Sequence, residues 1–205
     1  LLPTSKRVDT ERSAYSNDEI KTIIAKTKHL TGAKKYVPLI AAYSGLRMNE
    51  ICSLHVADIV TVDGVTCFDI NDSAKDKRLK TASSARVIPI HPKVMQGGFK
   101  SYLNAIAEAG HERVFPELFY HSINGYGQQF GKWYSLFNRQ HITSDSKRTF
   151  HSFRHSFCNA LKQAGIAPDL ISETIGHKVQ SISMNRYSSR FSPKIMLEAL
   201  LNLPW

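Results

Sequence analysis

The chain has three cysteines in 205 residues, too few and too scattered for a disulfide frame. Cys52, Cys67 and Cys158 form no CxxC pair, which also excludes a cysteine zinc site and reads as reduced, partly buried thiols of a cytosolic protein. Long apolar runs are missing too. Nothing approaches the roughly 18 residues of a membrane span, so no membrane partner is expected. The opening "LLPTSKRVDTERSAYS" lacks the apolar centre of a signal peptide and an initiator Met. Residues 1–14 therefore read as a linker remnant, and the chain as a piece of a longer protein. Acidic residues are scarce: 17 Asp and Glu face 27 Lys and Arg, a net charge of +10. A domain so charged is drawn to polyanions, nucleic acid being the commonest. Charge names a partner class and says nothing of chemistry.

What is present suffices for one sizeable core, with 42% hydrophobic residues. "SNDEIKTIIAKTKHL" reads as a helix capped by Ser16 or Asn17, with Ile20, Ile23 and Ile24 as its apolar stripe. "AKKYVPLIAAYSG" reads as a buried helix stopped by Gly45 in the left-handed conformation, and "LRMNEICSL" as a short third helix. The period then changes. "ADIVTV", "VTCFDI" and "ARVIPI" are β-branched segments, the first two joined by an Asp-Gly hairpin turn. Pro89 makes the third an edge strand or its end. Between the second and third lies "NDSAKDKRLKTASS", a tongue that reads as too polar to pack and therefore mobile. From residue 93 helical patterns return: "MQGGFKSYLNAIAEAG", "YGQQFGKWYSLFNRQ", "FHSFRHSFCNALKQAG", "APDLISETIG", "SISMNRYSS" and "SPKIMLEALLNL". Helices flanking one small antiparallel sheet make an α+β domain dominated by helix.

The stretch "HSFRHSF" carries the first chemical question. His151 and His155 have the i, i+4 spacing of a zinc-binding helix, but Ser152 stands where a metalloprotease has its glutamate. Arg154 between them would repel a divalent cation, so no metal is expected. With Thr149 as N-cap, His151 and Arg154 stand one turn apart near a helix N-terminus, which suits an anion, while Phe153, Phe157 and Leu161 face the core. Elsewhere, "SGLRMNEICSL" puts Arg47 at the opening of a helix with Glu50 one turn on, able to hold the guanidinium while it offers its fork to a phosphate. Downstream, "ETIGHKVQSISMNRYSS" holds His177 and, ten residues later, Tyr187.

Taken together these segments resemble the catalytic domain of the tyrosine recombinases, the phage integrase family. Its pattern is an Arg in a (T/S)-G-x-R-x-x-E turn, a hairpin Lys, H-x-x-R, L-G-H and a Tyr nucleophile. Here Arg47 with Glu50, a tongue lysine, His151 with Arg154, His177 and Tyr187 follow in that order. The match runs from about residue 15 to 190, and the domain is expected over 15–205. "KTASSARVIP" matches the family's K-T, then R-x-V-P, through Lys80, with Lys75 and Lys77 as alternatives on the same tongue. Ile175 replaces the usual Leu before Gly-His. The interval from His177 to Tyr187 is about one residue longer than the commonest spacing.

The resemblance implies a reaction and a division of labour. Tyr187 would attack a DNA phosphate to give a 3′-phosphotyrosyl enzyme, with Arg47 and Arg154 on the non-bridging oxygens. His151 would take the phenol proton, His177 would hydrogen-bond the phosphate, and Lys80 would protonate the leaving 5′-oxygen. No metal, nucleotide or other cofactor is called for. His155 becomes a structural residue behind the site. Lys75, Lys77, Arg78, Lys147, Arg148, Lys178 and Arg186 are candidate phosphate contacts. The implied partner is double-stranded DNA, bound by a homotetramer through exchange of C-terminal tails, at the bacterial nucleoid in the cytoplasm. The amphipathic tail "SPKIMLEALLNLPW" could equally pack on its own domain. A phage or prophage integrase fits best; a DNA-binding module without chemistry and a topoisomerase IB-like relaxing enzyme are the rivals. An N-terminal clamp domain, usual in the family, would precede Leu1.

Overall fold

The computed structural model describes residues 13–79, 81, 84–177 and 190–205. The expectations placed on Lys80, Lys178, Arg186, Tyr187 and the helix "SISMNRYSS" lie outside the described residues.

Helix α1 (Asn17–Thr27) opens on a reciprocal cap: Ser16 Oγ accepts from Glu19 N at 3.1 Å, and the Glu19 carboxylate accepts from Ser16 N at 2.8 Å. Its Ile20 and Ile23 are buried, and it packs on α2 (Gly32–Ser44), the most enclosed helix, whose nine consecutive positions from Tyr36 to Ser44 are all buried. Gly45 ends α2 at φ 62°, donating its N–H to Ala41 O at 3.0 Å. No other residue fits well there, because a Cβ would lie 2.6 Å from the Phe157 ring. Arg47 then stands at the N-cap of α3 (Met48–Cys52).

The sheet is three antiparallel strands in the order β1 (Ile59–Val62), β2 (Val65–Ile70) and β3 (Arg86–Pro89). Asp63 and Gly64 both take positive φ, 50° and 79°, as a two-residue hairpin requires. Pro89 ends β3 on an edge, opposite Cys67, while Ile70 faces Arg86. The segment before β1 is a 3₁₀ turn, Val56–Asp58, held by Asp58 accepting from His55 N at 2.7 Å.

The β2–β3 tongue departs from its expectation. Its first half packs: Lys77 is buried, its Nζ 2.6 Å from Asp58 and 2.8 Å from Asn71 Oδ1. Asp76 meets the Tyr126 hydroxyl at 2.7 Å and His55 at 3.3 Å, and Leu79 joins the main core. Polar composition misleads here because the tongue's charges find partners of the opposite sign on neighbouring elements.

Past the sheet, α4 (Pro92–Val94) runs into a π-type turn, Met95–Phe99, and then α5 (Lys100–Glu108). The expected single helix is thus broken at Gly98, which takes φ 91°. Helices α6 (Gly127–His141), α7 (Ser152–Gln163), α8 (Pro168–Ile175) and α9 (Pro193–Leu200) follow. Phe130, Tyr134, Phe150 and Phe153 interlock where α6 meets the start of α7: Phe130–Phe150, Tyr134–Phe150 and Phe150–Phe153 meet edge-to-face and Tyr134–Phe153 is tilted, with ring centroids 5.1–5.9 Å apart. Each such ring contributes about 1.5–3 kcal/mol through burial. The tail packs on its own chain. Helix α9 lies on β2 and β3, and buried Trp205 donates Nε1–H to Ala42 O at 3.2 Å while its carbonyl accepts from Tyr43 Oη at 2.7 Å. Among the described residues no helix is long and apolar enough to cross a membrane. The whole is an α+β domain of many helices around a three-stranded sheet.

Candidate functional site

Two helix ends and one buried side chain build the site. Both α2 and α8 stop at left-handed glycines, Gly45 and Gly176 (φ 70°), and each stop leaves a carbonyl unused by its helix. Arg154, on the first turn of α7 and only 4% exposed, donates Nη1–H to Gly45 O at 3.0 Å and Nη2–H to Ile175 O. One guanidinium therefore fastens the corner that presents Arg47 to the corner that presents His177. Burial, and then the charge of Arg47, push Arg154 down to about 10. It stays charged at neutral pH, in surroundings where an anion would relieve the cost of that charge.

Arg47 is held by Glu50, whose Oε1 accepts from Arg47 Nη1 at 2.7 Å and whose Oε2 accepts from Arg47 N at 2.9 Å. The Arg47 side chain is partly exposed and opens, with His151 and Arg154, onto a cleft of about 980 Å³. The far wall is the start of α6 with Asn124, Gln128 and Lys132. His151 is exposed at the mouth of α7. His177 is exposed just past Gly176, its N–H donating to Ser172 O at 2.9 Å. The structure thus gathers Arg47, His151 and Arg154 around one cleft, sets Glu50 against Arg47, and brings His177 to the adjoining corner.

Four expectations change. Lys77 is a buried partner of Asp58 rather than a phosphate contact or a candidate for the tongue lysine's role, because its ammonium is consumed by that carboxylate. His155 is exposed, its ring edge-on to His151 at 5.0 Å, rather than behind the site. Thr149 is not the N-cap of α7, which starts after His151; the turn before it closes on itself, Thr149 N donating to Ser152 Oγ at 2.9 Å. Arg148 is half-buried and tied to Glu19 at 3.0 Å and to Ala14 O at 3.3 Å, so it anchors α1. Lys75, Arg78 and Lys147 are exposed. No group of three or more His, Cys, Asp or Glu that could hold a metal occurs among the described residues.

One central residue escaped the sequence reading. Arg86, the first residue of β3 and 4% exposed, donates to Glu50 Oε2 at 3.0 Å, Glu50 Oε1 at 3.3 Å, Thr174 O at 2.8 Å and Ser84 O at 2.6 Å. The signal was present: an arginine opening a short apolar strand, inside the quoted "ARVIPI". The α6 wall of the cleft escaped it as well, since nothing in its sequence says which helix faces Arg47 and Arg154.

Comparison with known proteins agrees with this geometry. Residues 14–192 match the Phage integrase family, and the chain belongs to that family. Among curated relatives, the tyrosine recombinase XerA of Pyrococcus furiosus is 24% identical, aligned over 97% of this chain and 64% of its own length. A tyrosine recombinase XerC-like protein of Caldanaerobacter subterraneus is 27% identical over 89% of this chain and 52% of its own. The chain thus spans about half to two thirds of the length of the curated relatives it matches. Among solved structures, that of XerA recombinase superposes with a TM-score of 0.59 at 16% identity, covering 96% of this chain and 65% of that one. A lambda integrase tetramer bound to a Holliday junction gives 0.58 at 16% identity, covering 92% and 52%. These likenesses establish the fold.

Proposed function

We propose that the chain is the catalytic part of a tyrosine site-specific recombinase, which cuts and rejoins DNA strands through a 3′-phosphotyrosyl intermediate. The observation that carries this reading is the pairing of Arg47 and Arg154 on one cleft beside His151, with a single carboxylate among the described residues, Glu50, to offset them. A phosphodiester in that cleft would place its non-bridging oxygens against the two guanidinium groups. Charge builds on those oxygens as the phosphorane forms, so the same contacts strengthen in the transition state. Tyr187 attacks phosphorus and forms the P–O bond as the P–O5′ bond breaks. His151 receives the phenolic proton, the tongue lysine (Lys80) gives one to the departing 5′-oxygen, and His177 steadies a phosphate oxygen. Arginines supply the positive charge, and the phosphotyrosyl bond keeps the energy needed for rejoining, so neither a metal nor a nucleotide takes part.

The partner is double-stranded DNA, contacted by the exposed Lys75, Arg78 and Lys147, and the protein works in the cytoplasm where that DNA lies. A tetramer on DNA fits the assembly seen for lambda integrase. Exchange of tails between protomers would require α9 and Trp205 to leave their seats on their own chain. A nicked duplex that lets the short leaving strand diffuse away tests the reading. In EDTA it should give an SDS-stable protein–DNA adduct that Tyr187→Phe abolishes; no adduct with the full-length chain overturns the enzyme reading. A DNA-binding module without chemistry would bind the same duplex and leave it uncut.

A further inference from the structure

Glu50 faces an imbalance. Among the described residues, Arg47, Arg86 and Arg154 meet at the site, and Glu50 is the one carboxylate bonded to any of them. Its two oxygens are shared evenly: each accepts once from Arg47 and once from Arg86. The two arginines differ in every other respect. Arg86 is enclosed, with its remaining N–H groups spent on the Thr174 and Ser84 carbonyls. A Cβ on Gly176 would come within 2.8 Å of its Nη1, so the glycine stop of α8 is shaped around it. The Arg47 side chain has no bond beyond Glu50 among the described residues and opens onto the cleft. Burial drives the Glu50 carboxyl up, yet Arg86 first, by its charge and hydrogen bonds, and Arg47 second bring it below the ordinary carboxylate range.

A clamp arginine paired with its own carboxylate has a difficulty: the pair is neutral and attracts a phosphate weakly. We propose that Arg86 is a positioning residue for strand cleavage, serving as the counter-charge of Glu50 so that Glu50 orients Arg47 without neutralising it. This rests on the recombinase reading given above. With Arg86 and Glu50 cancelling, Arg47 and Arg154 present two positive charges to the scissile phosphate. Without Arg86, Glu50 keeps one cationic partner, draws Arg47 onto itself and leaves the clamp with one effective charge. Making Glu50 neutral removes the need for a counter-charge, so the two substitutions together should be milder than loss of Arg86 alone. A purely structural role would show the opposite pattern, each substitution adding to the damage.

The test is single-turnover cleavage of a nicked duplex in EDTA by the full-length chain, compared across the parent, Glu50→Gln, Arg86→Met, Glu50→Gln with Arg86→Met, and Tyr187→Phe. Duplex affinity and circular dichroism are recorded alongside. Arg86→Met should slow cleavage by about 100-fold, the scale of losing one preorganised charge donor, with duplex affinity little changed. The double variant should cleave within about 10-fold of Glu50→Gln, because the donor's charge is again available. Parental cleavage by Arg86→Met, or a double variant as far below Glu50→Gln as Arg86→Met lies below the parent, overturns the proposal. If Arg86→Met alone fails to fold, the double variant against Glu50→Gln decides it, since the two substitutions together remove both charges of the buried pair. A parent that gives no Tyr187-dependent adduct overturns the recombinase reading itself. A normal parental adduct with an unaffected Arg86→Met overturns only the counter-charge.

Discussion

Arg154 shows how one residue type can be required twice, for its charge and for its shape. Its two Nη groups diverge to carbonyls on different helices, Gly45 O and Ile175 O, which a single ammonium cannot span. Arg154→Lys should therefore lower strand cleavage by about 100- to 1000-fold in single-turnover assays, although the charge is kept. Lys77 is the reverse case, a basic residue whose charge is spent inside the fold on Asp58. Lys77→Ala would leave Asp58 buried and unpaired, a loss of about 3–5 kcal/mol measurable by urea unfolding. His91 sets an acid limit on the fold. Burial, then the nearby Lys93 charge, push it down to about 4, and its Nδ1 must stay unprotonated to accept from Lys93 N at 3.1 Å. The unfolded chain takes up this proton near the ordinary histidine value of about 6.5, the folded chain only near 4, so stability falls as pH drops between them. The slope approaches about 1.4 kcal/mol per pH unit, and His91→Asn, which keeps an acceptor, should flatten it in unfolding titrations from pH 7 to 4.

At the scale of elements, the site is made where helices stop. Gly45→Ala would force a Cβ into the Phe157 ring and a side chain into the left-handed region, and should cost at least about 1–3 kcal/mol in unfolding experiments. The same substitution would also displace the carbonyl that Arg154 holds, so cleavage should fall further than stability explains. Helices such as α1 and α2, the hairpin and the left-handed stop at Gly45 were legible in the sequence because each follows from local rules: an amphipathic period, a capping serine, an Asp-Gly turn. Arg47 with Glu50, and His151 with Arg154, were legible for the same reason, lying within one turn of each other. The tongue was misread because its polarity is answered by residues far along the chain; Asp76 meets Tyr126, and Lys77 meets Asp58. Arg86 was missed on the same ground, its partners being 36 and 88 positions away. Gly98 breaks the expected helix at φ 91°, where a Cβ would stand 3.3 Å from the Tyr36 hydroxyl.

For the whole molecule, net charge of +10 and a cleft with two arginines predict binding that weakens steeply with salt. Replacing exposed Lys75, Arg78 or Lys147 by alanine should each reduce the slope of log K against log salt by about 1, whereas Lys77→Ala should leave it unchanged in fluorescence anisotropy. The tail joins the ends of the fold: Trp205 bonds to Ala42 and Tyr43, so a tetramer built by tail exchange would open the α2 core before it closed on a neighbour. The central claim, that this cleft directs a tyrosine onto a DNA phosphate, is tested most directly by mapping the covalent adduct. After trapping on a nicked duplex in EDTA and digestion with nuclease and protease, mass spectrometry should find the peptide containing Tyr187 carrying a 3′-linked nucleotide phosphate. An adduct on any other residue, or one that forms only when a divalent metal is added, would contradict it.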